Sequence, residues 1–322
     1  DVSDGVELPK WLATAADSAP SSLTPHPSSL SAGLNITEMC LDRWQTDEMK
    51  DEPAVIWEGE NGTVDSEKYE NLMEMVIWYS AALRRIGYGK GDAIGIHVPM
   101  MIETVIALLA ISRIGAIAIP VFSGYGVEAI SSRLNAVGAK AVFTCDAFPR
   151  RGTFFNSLTV IDEAVSNVPT VQHVFLMWRK NVNCNPVLTT VNLRDKIIDS
   201  HELELIGFDF SEELGYPEPT SAEDPLIILY TSGTTGKPKG IAHTHASFPI
   251  KAAQDMAFGT DVGKGTRICW YTDIGWMMGP WLIYGALING ATICIYDGAP
   301  DYPTPDRMWE FCAKHKVEVL GI

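Results

Sequence analysis

From residue 53 onward, short apolar runs alternate with longer segments whose apolar residues fall at helical spacing, and this alternation limits the fold more than any other feature. Ala54–Trp57 reads as a strand. Tyr69, Leu72, Met73, Val76, Ile77, Ser80, Leu83 and Ile86 then recur at steps of three and four, the period of a long amphipathic helix. Gly87, Gly89 and Gly91 end it, and Ala93–Val98 follows as a buried strand. The pattern continues with a helix from about Ile102 to Arg113, a strand Ala116–Val121, a helix Val127–Val137 and a strand Lys140–Thr144. A second run begins at strand Leu226–Tyr230 and proceeds through a helix near Ala246–Phe258 and a strand Arg267–Tyr271. A helix around Trp281–Ile288, a strand Ala291–Tyr296, a helix Asp306–His315 and a strand Val317–Leu320 complete it. Such alternation predicts an α/β fold with parallel sheets and right-handed crossovers, here two stacked parallel-sheet lobes.

The segments suggest an organisation. Residues 1–33 form an irregular or disordered lead-in, rich in Ser and Pro between 13 and 31. Residues 34–224 form the first lobe and a connection, least regular from 181 to 224, and residues 225–322 start the second lobe. The last strand coincides with the chain's end, so the second lobe is expected to be incomplete.

Charge narrows the partners. Lys and Arg number 24 against 40 Asp and Glu, a net charge of −16. A surface that acidic repels nucleic acid and anionic membrane, so any phosphate must be held by local geometry. Small-molecule substrates fit this balance; nucleic acid and membrane partners do not, and the oligomeric state is left open. The most apolar stretch, residues 93–121, is interrupted by Pro99, Glu103, Arg113 and Pro120 and is not a membrane span. Six cysteines without a C-x-x-C pair, three of them (Cys145, Cys269, Cys294) in apolar runs, read as reduced core thiols of a cytoplasmic protein with no cysteine metal site.

The chemistry concentrates in Tyr230-Thr-Ser-Gly-Thr-Thr-Gly-Lys-Pro-Lys-Gly240, directly after an apolar strand. Gly233, Gly236 and Gly240 let the backbone turn and present N–H groups to an anion. Thr231, Ser232, Thr234 and Thr235 add hydroxyls, and Lys237 and Lys239 add charge. The arrangement suits a phosphate cradle, but Pro238 after Lys237 rules out the Walker pattern. The competing reading is a Ser/Thr/Gly surface turn, which the ordered string after a buried strand argues against. His243 and His245, one residue apart with no third ligand nearby, read as structural or near the ligand rather than metal-binding.

This string resembles the phosphate-binding signature of the adenylate-forming enzymes: acyl-CoA synthetases, luciferases and peptide-synthetase adenylation domains. Further stretches resemble the acetyl-CoA synthetase branch: Cys40-Leu-Asp-Arg43, Val55-Ile-Trp-Glu-Gly59, Phe122-Ser-Gly-Tyr125, Tyr271-Thr-Asp-Ile-Gly-Trp276 and Pro303-Thr-Pro-Asp-Arg307. The resemblance implies an acid–CoA ligase that uses ATP, Mg²⁺ and CoA: a short carboxylate, foremost acetate, attacks the α-phosphate of ATP, and CoA then displaces AMP from the acyl-adenylate. It implies that Thr231, Ser232, Gly233, Thr234, Thr235, Gly236 and Lys237 hold the ATP phosphates. Trp276, Met277 and Met278 would wall the acyl pocket, or else belong to the core at a helix start. Gly124 would approach the CoA adenine, and Arg150 and Arg151 would meet the CoA 3′-phosphate, or else form a solvated surface pair. The branch often has Gly-His after the tryptophan segment; Gly279-Pro280 stands here, and Thr153-Phe154 replaces a further basic residue after the arginines. The catalytic Lys and Glu of the family, and its C-terminal domain, are expected beyond Ile322, so these residues alone are expected not to turn over. The alternatives are an adenylate-forming enzyme that loads a carrier protein and a non-catalytic nucleotide-binding fragment.

Overall fold

The computed structural model of the chain describes residues 33–179, 193, 195–231 and 238–322. The lead-in up to residue 32, Cys184 and the loop residues Ser232, Gly233, Thr234, Thr235, Gly236 and Lys237 lie outside them.

Helical periodicity translates directly into structure. Helix α1 (Ile36–Cys40) is capped by Asn35, whose side chain accepts from Thr37 N. After strands β1 (Pro53–Gly59) and β2 (Val64–Lys68), helix α2 runs Tyr69–Ile86 and stops at Gly87, whose φ of 112° supplies the left-handed cap. Strand β3 (Ala93–His97) leads to α3 (Ile102–Arg113), in which every residue but Glu103 is buried. Then follow β4 (Ile117–Pro120), α4 (Val127–Ala136), β5 (Ala141–Cys145) and a small hairpin of β6 (Phe148–Arg150) and β7 (Thr153–Phe155). Helix α5 (Ser157–Ser166) and strands β8 (His173–Met177) and β9 (Ile197–Asp199) precede α6 (Ser200–Leu214). The remainder is β10 (Pro225–Thr231), β11 (Lys239–Thr244), α7 (Phe248–Gly259), β12 (Arg267–Trp270), α8 (Met278–Ile288), β13 (Thr292–Asp297), α9 (Arg307–His315) and β14 (Val319–Gly321).

Among the described residues the strands form two main sheets, of order β11-β10-β4-β3-β5-β8-β9 and β14-β12-β13-β1-β2, both parallel except for the antiparallel edge strands β11 and β2. One core unites residues of both sheets (Ile94 and Ile96 with Val55 and Ile293) with α3 and α8. Polar ties cross that layer: Ser112 Oγ lies 2.8 Å from Tyr284 Oη, and Trp44 Nε1 donates to Leu287 O at 2.7 Å. The two sheets exchange strands across residue 224. The early β1 and β2 complete the five-stranded sheet, while the later β10 and β11 complete the seven-stranded one.

Helix α6 departs from the expected irregular connection at 181–224. Asp199 caps it by accepting from Glu202 N at 2.9 Å. Gly207 lets it lie against α2, because a Cβ there would stand 2.1 Å from Trp78 O. Helix α9 is clamped to β1 through buried Glu58, which accepts from Arg307 at 2.5 Å and Lys314 at 3.0 Å and lies 2.5 Å from His315 Nε2. Burial works to raise the Glu58 pKa, but the hydrogen bonds from His315, Arg307 and Lys314 together hold it below the ordinary carboxylate value. No helix of the described residues is long and apolar enough to cross a membrane. Cys40, Cys145, Cys269 and Cys294 are buried free thiols, and Cys312 is half-buried and free.

Candidate active site

Parallel strands point their carboxyl ends the same way, and in open α/β sheets that edge is where ligands bind. The candidate residues follow such ends: Gly124 after β4, Arg150 and Arg151 after β5, Thr231 at the end of β10, and Trp276, Met277 and Met278 after β12. The polar ties described next join the ends of one sheet to those of the other.

The tightest of these ties joins the turn after β4 to the loop after β12. Asp273, buried, accepts from Ser123 Oγ at 2.5 Å, Ser123 N at 3.2 Å and Gly275 N at 2.9 Å. Burial pushes its carboxyl up to about 6, against the pull of these hydrogen bonds and of Arg150. The two backbones touch: a Cβ on Gly275 would stand 2.1 Å from Phe122 N. Phe122 packs its ring 5.6 Å from Trp276 and 5.3 Å from Tyr125. Gly124 and the Trp276 segment therefore belong to one rigid piece.

Trp276 is 53% exposed and Met277 56%, with Met278 half-buried at the first position of α8. Neither Trp276 nor Met277 is core, which removes the helix-start core reading for these two. Large apolar side chains standing open beside a buried polar anchor are suited to line a ligand wall.

Thr231, exposed, ends β10 opposite Lys239 of β11, so the glycine- and hydroxyl-rich loop connects two antiparallel strands. Its root is braced by Tyr230, whose hydroxyl donates to Arg133 O at 3.0 Å. The Arg133 guanidinium stands 4.4 Å from the Tyr125 ring and 5.5 Å from that of Tyr230. Beside them an open groove of about 490 Å³ is bounded by Gly126, Glu128, Ala129, Ser132, Arg133 and Pro238.

The hairpin after β5 turns through Arg151 and Gly152, whose φ angles of 51° and 74° make a two-residue turn with both centres left-handed. For an arginine that conformation costs about 1–2 kcal/mol. Arg150 pairs with Asp297 at 2.9 Å, and Arg179 reaches the other oxygen of the same carboxylate at 2.5 Å. Arg151 pairs with Asp301 at 2.8 Å, both groups half exposed or more. Each arginine already has a carboxylate partner, which sequence reading did not anticipate. Nor did it single out Asp273, Glu60, Asp297 or Arg133, because no local pattern marks the contacts each makes with a residue 90 or more positions away.

His245 is buried, accepts from Ile36 N at 3.2 Å through Nδ1, and is brought down to about 4 by burial. It is a neutral structural histidine. Among the described residues no group of three or more His, Cys, Asp or Glu could hold a metal ion. The described residues thus offer no protein cage for Mg²⁺.

Comparison with known proteins places these features in context. Residues 42–322 match the family described as AMP-binding enzyme. The chain is 37% identical over 289 residues to the acetyl-coenzyme A synthetase of Gemmatimonas aurantiaca, covering 89% of this chain and 43% of that protein. It is 36% identical over 299 residues to the 3-hydroxypropionyl-coenzyme A synthetase of Metallosphaera sedula, covering 89% and 42%. The acetoacetyl-CoA synthetase structure from Streptomyces lividans superposes with a TM-score of 0.78 at 25% identity, over 89% of this chain and 42% of that one. The chain thus spans less than half the length of these relatives. With an α/β architecture shared with a solved member and a match over residues 42–322, the chain belongs to the AMP-binding enzyme family.

Proposed function

We propose that these residues form part of an AMP-forming acid–CoA ligase acting on a short carboxylic acid, acetate first, with propionate or a small hydroxy acid next. The observation that carries the reading is the convergence of the turn bearing Gly124 with the loop bearing Trp276, locked by Asp273, in a chain similar to synthetases of small acyl-CoA thioesters.

In the first half-reaction a carboxylate oxygen bonds to the α-phosphorus of ATP as the bond to the bridging oxygen breaks, releasing diphosphate and leaving an acyl-adenylate. Thr231, Ser232, Gly233, Thr234, Thr235, Gly236 and Lys237 would hold the β- and γ-phosphates through amides, hydroxyls and one ammonium, stabilising the charge that builds on the leaving group. Mg²⁺ would enter with ATP and supply charge neutralisation on its phosphates. In the second half-reaction the CoA sulfur bonds to the acyl carbon and AMP leaves with the electron pair of the acyl–oxygen bond. Trp276, Met277 and Met278 would shorten the acyl cavity and favour small acids. Gly124 would admit the CoA adenine close to the backbone, and Arg150 and Arg151 would meet its 3′-phosphate, Arg151 by exchanging its exposed partner Asp301.

The test is carboxylate-dependent ATP–diphosphate exchange by the intact protein that contains these residues, followed by CoA-dependent AMP release. Exchange with acids of two to three carbons is expected; exchange without CoA-dependent release would sink the reading.

A further inference from the structure

The turn that carries Arg151 is held by an anion of the protein's own. Arg151 N and Gly152 N donate to the two oxygens of Glu60 at 2.9 and 2.8 Å, and Ala299 N donates to it at 2.9 Å. Successive amides of a left-handed turn form a concave cradle for an anion. Here Glu60, only 8% exposed and just past the end of β1, fills it. The hairpin that follows β5 of the seven-stranded sheet is thereby pinned to the carboxyl end of the five-stranded one. Its cradle cannot serve an external phosphate, because it is occupied. Its guanidinium groups are left to do so: Arg150 is fixed on Asp297, and Arg151 reaches into solvent with exposed Asp301 as its one ion-pair partner among the described residues. A Cβ on Gly152 would stand 2.4 Å from Tyr302 Oη, so the turn is packed against that side chain as well as bonded.

We propose that Glu60 is a positioning residue for CoA: by filling the amide cradle of the Arg151–Gly152 turn it fixes the Arg150–Arg151 pair in the attitude that receives a phosphate monoester. This rests on the reading of that pair as the contact for the CoA 3′-phosphate. Glu60 touches no substrate. It acts through the backbone, and a carboxylate is required because three N–H donors converge on it. A glutamine would keep one acceptor oxygen and turn a second N–H donor towards an amide donor.

The experiment is calorimetric titration of the intact protein that contains these residues with CoA and with 3′-dephospho-CoA. The wild type is expected to bind CoA about tenfold more tightly than the dephospho form, a margin typical of one extra set of charge-assisted hydrogen bonds. In Glu60→Gln the ratio is expected to fall to within about twofold of one while dephospho-CoA affinity stays constant. Asp301→Asn, at an exposed site that does not threaten folding, is expected to raise CoA affinity and leave dephospho-CoA unchanged. A wild type that does not bind CoA, or does not distinguish the two ligands, overturns the arginine reading and this inference with it. A wild type that discriminates beside a folded Glu60→Gln that discriminates equally overturns the role of Glu60 alone. Should Glu60→Gln not fold, amide exchange in the wild type decides. The Arg151 and Gly152 amides must be protected, and more so with CoA than with dephospho-CoA; free exchange overturns the inference.

Discussion

Replacing Asp273 by Asn tests the central lock of the site by its pH signature. Asp273 is buried, and burial raises its carboxyl from the ordinary 3.8 to about 6. A group whose pKa is higher in the folded than in the unfolded chain favours folding most below the unfolded value and loses that contribution as pH rises through the folded one. The gap is about two pH units at about 1.4 kcal/mol each, so wild-type stability should fall by about 3 kcal/mol between pH 4 and pH 7 from this residue alone. Asn imitates the neutral acid: its oxygen still accepts from Gly275 N and Ser123 N, and the Ser123 hydroxyl can rotate to accept from its amide. It has no proton to lose. Urea unfolding of both proteins from pH 4 to 7.5 should therefore show near-equal stability at the acid end and the Asn variant ahead by about 3 kcal/mol at the neutral end. Taking the difference cancels other carboxylates such as Glu58 and Asp224, whose depressed pKa values push the opposite way. A difference that does not change with pH, or a wild type that gains on the variant as pH rises, would refute the reasoning. It would mean that the three donors outweigh burial and that the anion is the preferred form.

Other expectations follow from packing. Gly275→Ala drives a methyl into the Phe122 backbone and should cost about 3 kcal/mol in chemical denaturation, since backbone cannot step aside as a side chain can. Gly207→Ala should lift α6 off α2, seen as faster amide exchange in 200–214 with a smaller change in global stability. Trp276→Ala should cost less than about 1 kcal/mol, because the ring is half exposed, yet shift the intact protein towards longer acids. A large loss of stability would return Trp276 to the core.

How much could be read from sequence differs by element for physical reasons. Helices α2 and α3 begin and end at the residues their periodicity marks, because an amphipathic or fully apolar helix writes its burial into adjacent residues. The buried strands β3, β5 and β13 were legible for the same reason. Strands β2 and β11 were not: as polar edge strands they owe their conformation to a partner across the hairpin, not to burial. Helix α6 hides because few of its residues are buried, although the pair Asp199 and Glu202 signalled its start.

The sequence by itself determined the alternation of strand and helix, the ends of the main helices and the family, since each rests on short-range order or a contiguous motif. Only the tertiary structure decided which strands share a sheet, that Asp273 bolts two loops together, that Glu60 fills the cradle under Arg151, and that Arg150 is held by Asp297. These are pairings between groups 90 to 150 residues apart, with energies set by burial and converging donors. A linear pattern carries no distance across the fold, so such pairings exist only once the carboxyl ends of both sheets have been brought face to face.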